Sequence, residues 1–234
     1  WDTPPEGEVR FLLHAGLNPK AFGEGVRLEP DARRAGDPDY AEAFRLLLPP
    51  GSREAGISCG GEIYHPLEAV GKEYARGFSA TPGIVSPEGA MLSAASYWLP
   101  AFGEDSLTFD LTVELPPGWD AVSRRDLGAQ GKTVRWTASA PQDEVFLVAG
   151  PFTLYEDATG GPAAMAYLRS PDPALARRLN DATRLYLSFY GDLIGPYPFG
   201  KFAAVENFWE TGFGMPSFTL LGPKVIRFPF LLRT

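Results

Sequence analysis

Residues 107–118 read Leu-Thr-Phe-Asp-Leu-Thr-Val-Glu-Leu-Pro-Pro-Gly, with an apolar side chain at every second position from Leu107 to Leu115. A period of two is the side-chain period of a β-strand, so this stretch predicts a strand with one apolar and one polar face. Pro116-Pro117-Gly118 ends it, because proline cannot donate to a strand ladder and both residue types favour turns. The segment is typical of a half-buried antiparallel strand.

Short apolar runs of the same kind occur through the first two-thirds of the chain. They lie at residues 9–13, 43–48, 133–137 and 145–149, and clusters of Gly, Pro or Asp separate them. Glycine and proline contribute 26 and 23 of the 234 residues, a content that suits tight turns between many short strands. This pattern predicts an antiparallel β-sandwich.

The pattern changes near residue 170. Asp172 is a good helix N-cap and Pro173 suits the first helical position. Apolar residues then recur at spacings of three and four, which predicts one apolar helix face: Leu175, Leu179, Ala182, Tyr186, Phe189 and Leu193. Gly195-Pro196 ends the helix, and strands are expected at 202–205 and 218–221. We therefore predict a β domain over residues 1–169 and an α/β segment over residues 170–234.

Composition limits the classes of partner. Hydrophobic residues make up 44% of the chain, enough to form a packed core, and the formal net charge is -8. An acidic surface repels phosphate backbones, so we expect no nucleic acid partner. No apolar run approaches the roughly 18 residues of a membrane span, so we expect a soluble protein. Cys59 is the single cysteine, which excludes an internal disulfide. The compartment is left open between the cytoplasm and the periplasm or exterior after signal removal, because the chain begins at Trp1.

Two patterns are candidates for a serine-hydrolase motif and for a zinc site, and neither is predicted to function as such. Residues 56–60 read Gly-Ile-Ser-Cys-Gly and match the G-x-S-x-G elbow of serine hydrolases, but no helix start follows, so a turn between strands is predicted instead. The chain has two histidines, His14 and His65, and one cysteine, with no H-x-x-x-H or C-x-x-C spacing. A zinc site needs three well-placed ligands, so none is predicted.

Glu206 and Glu210 flank an aromatic pair, and two such carboxylates could form a glycosidase pair or be ordinary loop acids. After them comes Gly212-Phe213-Gly214-Met215-Pro216-Ser217, which leads into the strand expected at 218–221. Its glycines would allow a ligand or a neighbouring strand to approach the backbone closely.

The order of several stretches resembles one enzyme family. Tyr-Trp-Leu-Pro-Ala-Phe at 97–102, the strand and turn at 107–119, the strand at 146–152 and the helix at 173–193 followed by Gly-Pro-Tyr-Pro-Phe together resemble the aminopeptidase N-type, or gluzincin, zinc metallopeptidases. The resemblance implies a mostly β chain. An antiparallel, saddle-like β-sandwich domain would be followed by the α/β start of a thermolysin-like catalytic domain.

In that family an edge strand carries a Gly-x-Met-Glu-Asn loop, and an H-E-x-x-H helix that holds zinc follows soon after. Gly214-Met215 lies where that loop belongs, and the chain ends at Thr234, about where the zinc helix would begin. The resemblance thus implies an N-terminal fragment with no catalytic residue, no metal ligand and no cofactor of its own. Zinc and a peptide or protein substrate belong to the full-length parent, and the fragment is expected to be inactive.

The substrate-binding residues implied by the resemblance are Gly212, Phe213, Gly214, Met215, Pro216 and Ser217. Met215-Pro216-Ser217 replaces the family's Met-Glu-Asn, so the glutamate that binds a free α-amine is missing. Glu88 is the nearest candidate for an anionic anchor in the β domain and fits that role poorly. The parent could therefore take a different substrate or lack peptidase activity.

The C-terminal residues 228–232 are expected to be disordered or covered by another chain, and an unpaired edge there would allow self-association. The alternative function is a β-sandwich module that binds carbohydrate or protein. Its binding platform would be one of four tryptophans: Trp98, Trp119, Trp136 or Trp209.

Overall fold

Strands dominate the structure, a computed structural model that describes residues 1–3, 5, 7–69, 78–103, 106–123 and 133–228. In chain order they are β1 Glu8–His14, β2 Lys20–Phe22, β3 Arg27–Asp31, β4 Ala41–Leu47, β5 Gly56–Ser58, β6 Glu68–Ala69, β7 Ser79–Ala80, β8 Gly83–Ser86, β9 Gly89–Leu92, β10 Leu107–Glu114, β11 Asp120–Val122, β12 Thr133–Gln142, β13 Leu147–Gly150, β14 Thr153–Asp157, β15 Ala163–Leu168, β16 Lys201–Glu206, β17 Gly212–Met215 and β18 Phe218–Leu221. The helices are α1 Pro173–Ile194 and α2 Pro223–Ile226. Neither could cross a membrane, judged by its length and hydropathy.

The N-terminal part is built from antiparallel pairs, as the sequence predicts. Strand β4 lies between β1 and β3, and β10 pairs with β12. On β10 the alternation of residues 107–115 is confirmed, because Phe109, Leu111 and Val113 pack against the first core. That core also contains the buried rings of Phe11 and Trp136. The fold is thus mostly β, with strands at each of the sites that the sequence indicated.

The sheet of order β11-β13-β9-β8 separates two cores. Leu147 and Ala149 of β13 belong to the first core, whereas Val148 between them belongs to the second. All four residues of β13 are buried. A strand buried on both faces needs apolar side chains at successive positions, which explains the continuous apolar run at 145–149.

A five-stranded sheet of order β14-β15-β16-β18-β17 carries the C-terminal part of the structure. Strands β15 and β16 pair in parallel, and α1 makes the crossover between them. Parallel neighbours need such a crossover, because a tight turn can join only antiparallel strands. Strands β14 and β15 precede residue 169 and β16 follows it, so this one sheet contains residues from both sides of the predicted domain boundary. A division that keeps each sheet whole would fall between Gly150 and Thr153.

Helix α1 begins and ends as the sequence predicts. The Asp172 carboxylate accepts a hydrogen bond from Leu175 N at 2.9 Å, and Gly195 follows the helix with φ of 117°. The predicted apolar face is buried only in its first turns, where Leu175 and Leu179 join a third core beneath β15 and β16. Tyr186, Phe189 and Leu193 of the same face are exposed. This part of the prediction is incomplete, because periodicity shows that a face is apolar but not how far the sheet beneath it extends.

Candidate functional site

The predicted substrate-binding residues form an edge hairpin of the five-stranded sheet. Strand β17 pairs antiparallel with β18, with Met215 opposite Phe218, and Pro216 and Ser217 make the turn between them. Ser217 has φ of 70°. Proline with its fixed φ followed by a residue of positive φ is the combination of a type II turn, in which glycine usually takes the second place.

The backbone groups of Gly212 and Gly214 point away from the sheet. On the other side of β18, Ala203 N of β16 donates a hydrogen bond to Ser217 O at 3.1 Å. Asn207 N, just after β16, donates to Leu221 O at 2.8 Å. Along a strand, the N–H and C=O groups of successive residues point to alternate sides. Ser217, Thr219 and Leu221 therefore face β16, whereas Phe218 and Leu220 face β17. The glycines of β17 lie opposite Thr219 and Leu221, the residues that face β16. Their own N–H and C=O groups therefore face the open side of β17.

The residues of the hairpin divide into an exposed and a buried set. Gly212, Phe213 and Gly214 are exposed, whereas Met215 and Ser217 are buried at 8% and 2% exposure. A Cβ atom added at Gly214 would meet nothing within 4 Å, and one added at Gly212 would lie 3.8 Å from the Phe78 ring. The six predicted residues are thus brought together, but a ligand at this edge would contact chiefly the first three.

A buried lysine that sequence reasoning missed supports the turn. Lys201, at 2% exposure, directs Nζ to Ser217 Oγ at 3.0 Å and to Ser217 O at 3.4 Å. The same ammonium lies 5.5 Å from the centre of the Phe218 ring, within the range of a cation–π contact. The only signal in the sequence is a lone lysine at the start of an apolar strand. The Ser217 hydroxyl is engaged in this contact and points into the protein.

The carboxylates of Glu206 and Glu210 accept hydrogen bonds from other parts of the protein. Glu206, at 3% exposure, accepts hydrogen bonds from Arg169 N and from the Arg227 guanidinium. Hydrogen bonding to Glu206 raises the pKa of Arg227. Glu210 Oε1 accepts from Lys224 N at 3.0 Å in the first turn of α2. Both carboxylates are used by protein groups, so the glycosidase pair considered from the sequence is not supported.

The G-x-S-x-G match is a strand and not a nucleophile elbow. Gly56–Ser58 forms β5, which pairs with β2, and Ser58 Oγ donates to Lys20 O at 3.5 Å. No helix follows it, as the structure of residues 59–67 shows. The predicted turn between strands is the better description.

The two histidines, far apart in sequence, meet at the end of β1. His14 Nε2 lies 2.9 Å from His65 Nε2, and His14 Nδ1 accepts a hydrogen bond from Gly16 N at 2.9 Å. In a neutral imidazole only one nitrogen carries hydrogen, so His14 Nε2 is the donor and His65 Nε2 the acceptor. Burial first, and then the charge of His65, lower the pKa of His14. This tautomer leaves His14 Nε2 without a lone pair for a metal.

No group of three or more potential metal ligands is found among the residues that the structure describes. Glu88 lies in the turn between β8 and β9 with an exposed side chain, and its backbone carbonyl accepts from Arg169 Nη1 at 2.8 Å. The Ser86 hydroxyl is the main cause of a lowered pKa of Glu88, which is therefore a carboxylate at neutral pH.

The four tryptophans considered as binding platforms are buried or partly buried. Trp136 and Trp209 are buried at 3% and 6% exposure, and Trp209 Nε1 donates to Ser79 O at 2.9 Å. Trp98 and Trp119 are half-buried against the first core. A flat exposed ring is what stacks on a sugar, so the buried pair is excluded as a platform.

Comparison with known proteins identifies the fold. No protein-family model matches the chain, and no curated protein matches it in sequence. A mutant of the M1 zinc metallopeptidase from Deinococcus radiodurans is similar over 92% of this chain and 52% of its own, with a TM-score of 0.62 and 16% identity. The form of that mutant bound to a Tyr-Ser-Ala substrate gives a TM-score of 0.60 at 16% identity, over 92% of this chain and 52% of its own. An aminopeptidase N family protein from Idiomarina loihiensis is similar over 94% of this chain and 38% of its own, with a TM-score of 0.58 and 14% identity.

These likenesses show that the chain has the mostly β fold of the N-terminal part of M1 zinc metallopeptidases, so the resemblance seen in the sequence is confirmed. The chain spans about half the length of the Deinococcus structures that it matches.

Proposed function

We propose that this chain supplies the N-terminal β domain and the first α/β segment of a zinc metallopeptidase-like protein, and that the open edge of β17 binds an extended peptide. The observation that carries the proposal is the outward-facing backbone of Gly212 and Gly214 at the edge of a sheet in an M1-type fold. One similar structure holds a Tyr-Ser-Ala substrate, which is the reason for choosing a peptide as the ligand.

Strand addition explains how such an edge would bind. An extended peptide pairs its main chain with the free N–H and C=O groups of an edge strand, and this gives affinity with little regard to side chains. Glycine at both outward-facing positions removes side chains that would keep the peptide away. The exposed ring of Phe213, at 37% exposure, lies between them and offers an apolar contact.

Zinc and hydrolysis belong, in this proposal, to the part of the parent protein outside residues 1–234. Among the described residues the donor set does not fit a zinc site, because no three His, Cys, Asp or Glu side chains come together and the lone pair of His14 Nδ1 is used by Gly16 N. We therefore expect residues 1–234 alone to hydrolyse no peptide. The chain contributes a binding surface, and the chemistry is supplied elsewhere.

Recognition of a free α-amine is not built into this hairpin. Residues 212–217 contain no carboxylate, and the hydroxyl of Ser217 is engaged with Lys201. We infer that the parent either takes peptides without reading their amino terminus at this strand or uses another acidic group. Glu88 is the nearest candidate in the sequence and fits that role poorly.

A matched pair of substitutions at Gly214 tests the edge. Gly214→Ala keeps the outward N–H, and its Cβ meets open space, whereas Gly214→Pro removes that N–H without touching the bonds to β18. With Tyr-Ser-Ala as the first probe, we expect the amide signals of Gly212 and Gly214 to shift on titration. Gly214→Pro should weaken peptide binding about 5- to 10-fold, which corresponds to the loss of one hydrogen bond. Gly214→Ala should weaken it much less. The edge proposal is wrong if these amide signals stay in place at millimolar peptide.

A further inference from the structure

A cavity beside the first core combines exposed apolar side chains with carboxylates. Its volume is about 490 Å³, and residues 97–103, 106–108 and 143–145 form most of its lining. Four large apolar residues of that lining are 37% to 41% exposed: Trp1, Leu99, Phe102 and Leu107. We call this space the Trp98 cavity. No described residue of its lining belongs to the five-stranded sheet that contains β17.

The Trp98 ring forms one wall of the cavity and is held in place. Its Nε1 donates a hydrogen bond to Val145 O at 3.3 Å. The next residue along, Glu144, accepts a hydrogen bond through Oε2 from Ala94 N at 2.9 Å, at the start of a short 3-10 helix. The ring and the carboxylate are therefore fixed by contacts within the protein, and such pre-organised groups lose little freedom when a ligand binds.

Phe102 forms a second wall and is supported by the core. Its ring lies 5.4 Å from the buried ring of Phe11 and meets the Trp1 ring edge-on at 5.8 Å. The backbone beside it is also fixed, because Ala101 exchanges two hydrogen bonds with Leu12 of β1, at 2.9 and 3.0 Å. The exposed part of the Phe102 ring is thus a stable aromatic surface of the cavity.

The ionisable side chains of the described lining are acidic. Asp2, Asp143 and Glu144 contribute carboxylates, and the described lining contains no lysine or arginine. The Trp1 amino group donates to Arg53 O at 2.7 Å rather than to one of these carboxylates. An organic cation is attracted both by carboxylates and by the faces of aromatic rings, whereas an anion would be repelled. The chemistry of the lining therefore favours a positively charged ligand with an apolar surface.

We propose that the Trp98 cavity binds a small organic cation of the alkylammonium class. The rings of Trp98 and Phe102 would contact the cationic head, and the carboxylates of Asp143 and Glu144 would balance its charge. Aromatic walls around an ammonium group are a recurrent mode of recognition for such ligands. The cavity volume lies in the usual range for small-molecule sites. This inference is independent of the peptide-binding edge, because the two surfaces share no described residue.

Choline and its uncharged analogue, in which carbon replaces the nitrogen, are the first probes, because they have nearly the same shape and differ in charge. The protein is titrated with each at constant ionic strength, and the indole NMR signal of Trp98, assigned with Trp98→Phe, is followed. We expect choline to shift this signal at millimolar concentration. The uncharged analogue should bind about 10-fold more weakly, since it lacks the attraction to the rings and the carboxylates.

Two conservative variants test whether the cation lies in this cavity. Glu144→Gln removes a charge, while the amide oxygen can still accept from Ala94 N. Phe102→Leu keeps an apolar side chain but removes the aromatic face. We expect each to weaken choline binding about 5-fold and to leave binding of the uncharged analogue nearly unchanged.

Matched controls lie outside the lining. Asp39→Asn removes a carboxylate that is 97% exposed, and Phe22→Leu removes a ring that is 60% exposed. Neither should change choline binding. Asp143→Asn, at an exposed position, provides a further lining variant if a substitution at Glu144 or Phe102 lowers the midpoint of urea unfolding.

Equal affinity for choline and its uncharged analogue would overturn the inference, because the cavity would then recognise shape and not charge. A Trp98 signal that stays in place at millimolar choline would also overturn it, as would choline binding that the lining variants leave unchanged. A shift caused by a neutral oligosaccharide and not by choline would identify a sugar as the occupant and contradict the proposal. None of these outcomes concerns the edge of β17, so the proposed function stands or fails separately.

Discussion

The guanidinium of Arg227 donates two hydrogen bonds to the carboxylate of Glu206, from Nε to Oε1 at 2.6 Å and from Nη2 to Oε2 at 2.8 Å. Two parallel charge-assisted bonds of this kind are among the stronger polar contacts in proteins. Arg227 also reaches Ser170 Oγ at 2.9 Å and the N-cap carboxylate of Asp172 at 3.5 Å. One side chain thus joins the end of β16 to the start of α1.

Replacing Arg227 with methionine should lower the free energy of unfolding by about 3 kcal/mol, because it leaves the buried Glu206 carboxylate without its counter-charge. Urea unfolding with an unchanged slope measures this. Arg33→Met is the matched control, since the Asp39 carboxylate that it pairs with is 97% exposed. That control should change stability by less than about 0.5 kcal/mol. Equal effects of the two substitutions would contradict the assigned role of Arg227.

Acid should weaken the contact between His14 and His65. The pKa of His14 is lowered in the folded protein, so the unfolded chain binds the proton more readily. The associated stability is fully present above the ordinary histidine pKa of about 6.5 and is lost as the pH falls through the folded pKa below it.

The chain has no other histidine, so the effect can be isolated. We expect the stability of the natural protein to fall between pH 7.5 and pH 5, and His14→Gln to reduce that fall. Urea midpoints measured across this range provide the comparison. Parallel pH profiles for the two proteins would show that His14 does not cause the loss.

Two substitutions at Ser217 should separate backbone strain from the loss of its hydroxyl. Ser217→Ala and Ser217→Gly both remove the contact to Lys201 Nζ. Only glycine adopts φ near 70° without strain, so Ser217→Gly should be more stable than Ser217→Ala by about 1 kcal/mol. Thermal or urea unfolding gives the difference directly. Identical stabilities would mean that the turn relaxes out of the left-handed region in both variants.

The same substitution at two positions of α1 should have very different effects. Leu179→Ala removes a buried side chain from the third core and should cost about 2 to 5 kcal/mol. Leu193→Ala removes one that is 65% exposed and should change the stability of residues 1–234 by less than about 0.5 kcal/mol. Chemical unfolding of the two variants checks this. A large loss from Leu193→Ala in residues 1–234 would contradict the exposure of this side chain.

Local features of this protein could be read from the sequence with good accuracy. The alternation from Leu107 to Leu115, the N-cap at Asp172 and the helix stop at Gly195 were all identified correctly. Each depends on interactions between residues a few positions apart, which leave a periodic or punctuated pattern. The strand at 218–221 was also predicted, whereas residues 212–217 were expected to form a loop and residues 212–215 instead form β17. The candidate peptide-binding role of the hairpin at 212–221 is still a prediction.

By itself, the sequence determined where seven of the strands and helix α1 lie, because the spacing of apolar, Gly and Pro residues reflects local backbone geometry. Only the tertiary structure decided which sheet each strand joins, how much of α1 is covered, and that Glu206 pairs with Arg227 and Lys201 with Ser217. These contacts join residues 21 and 16 positions apart, and His14 meets His65 across 51. No short-range pattern encodes them, since they form only when the packing of whole sheets brings distant segments together.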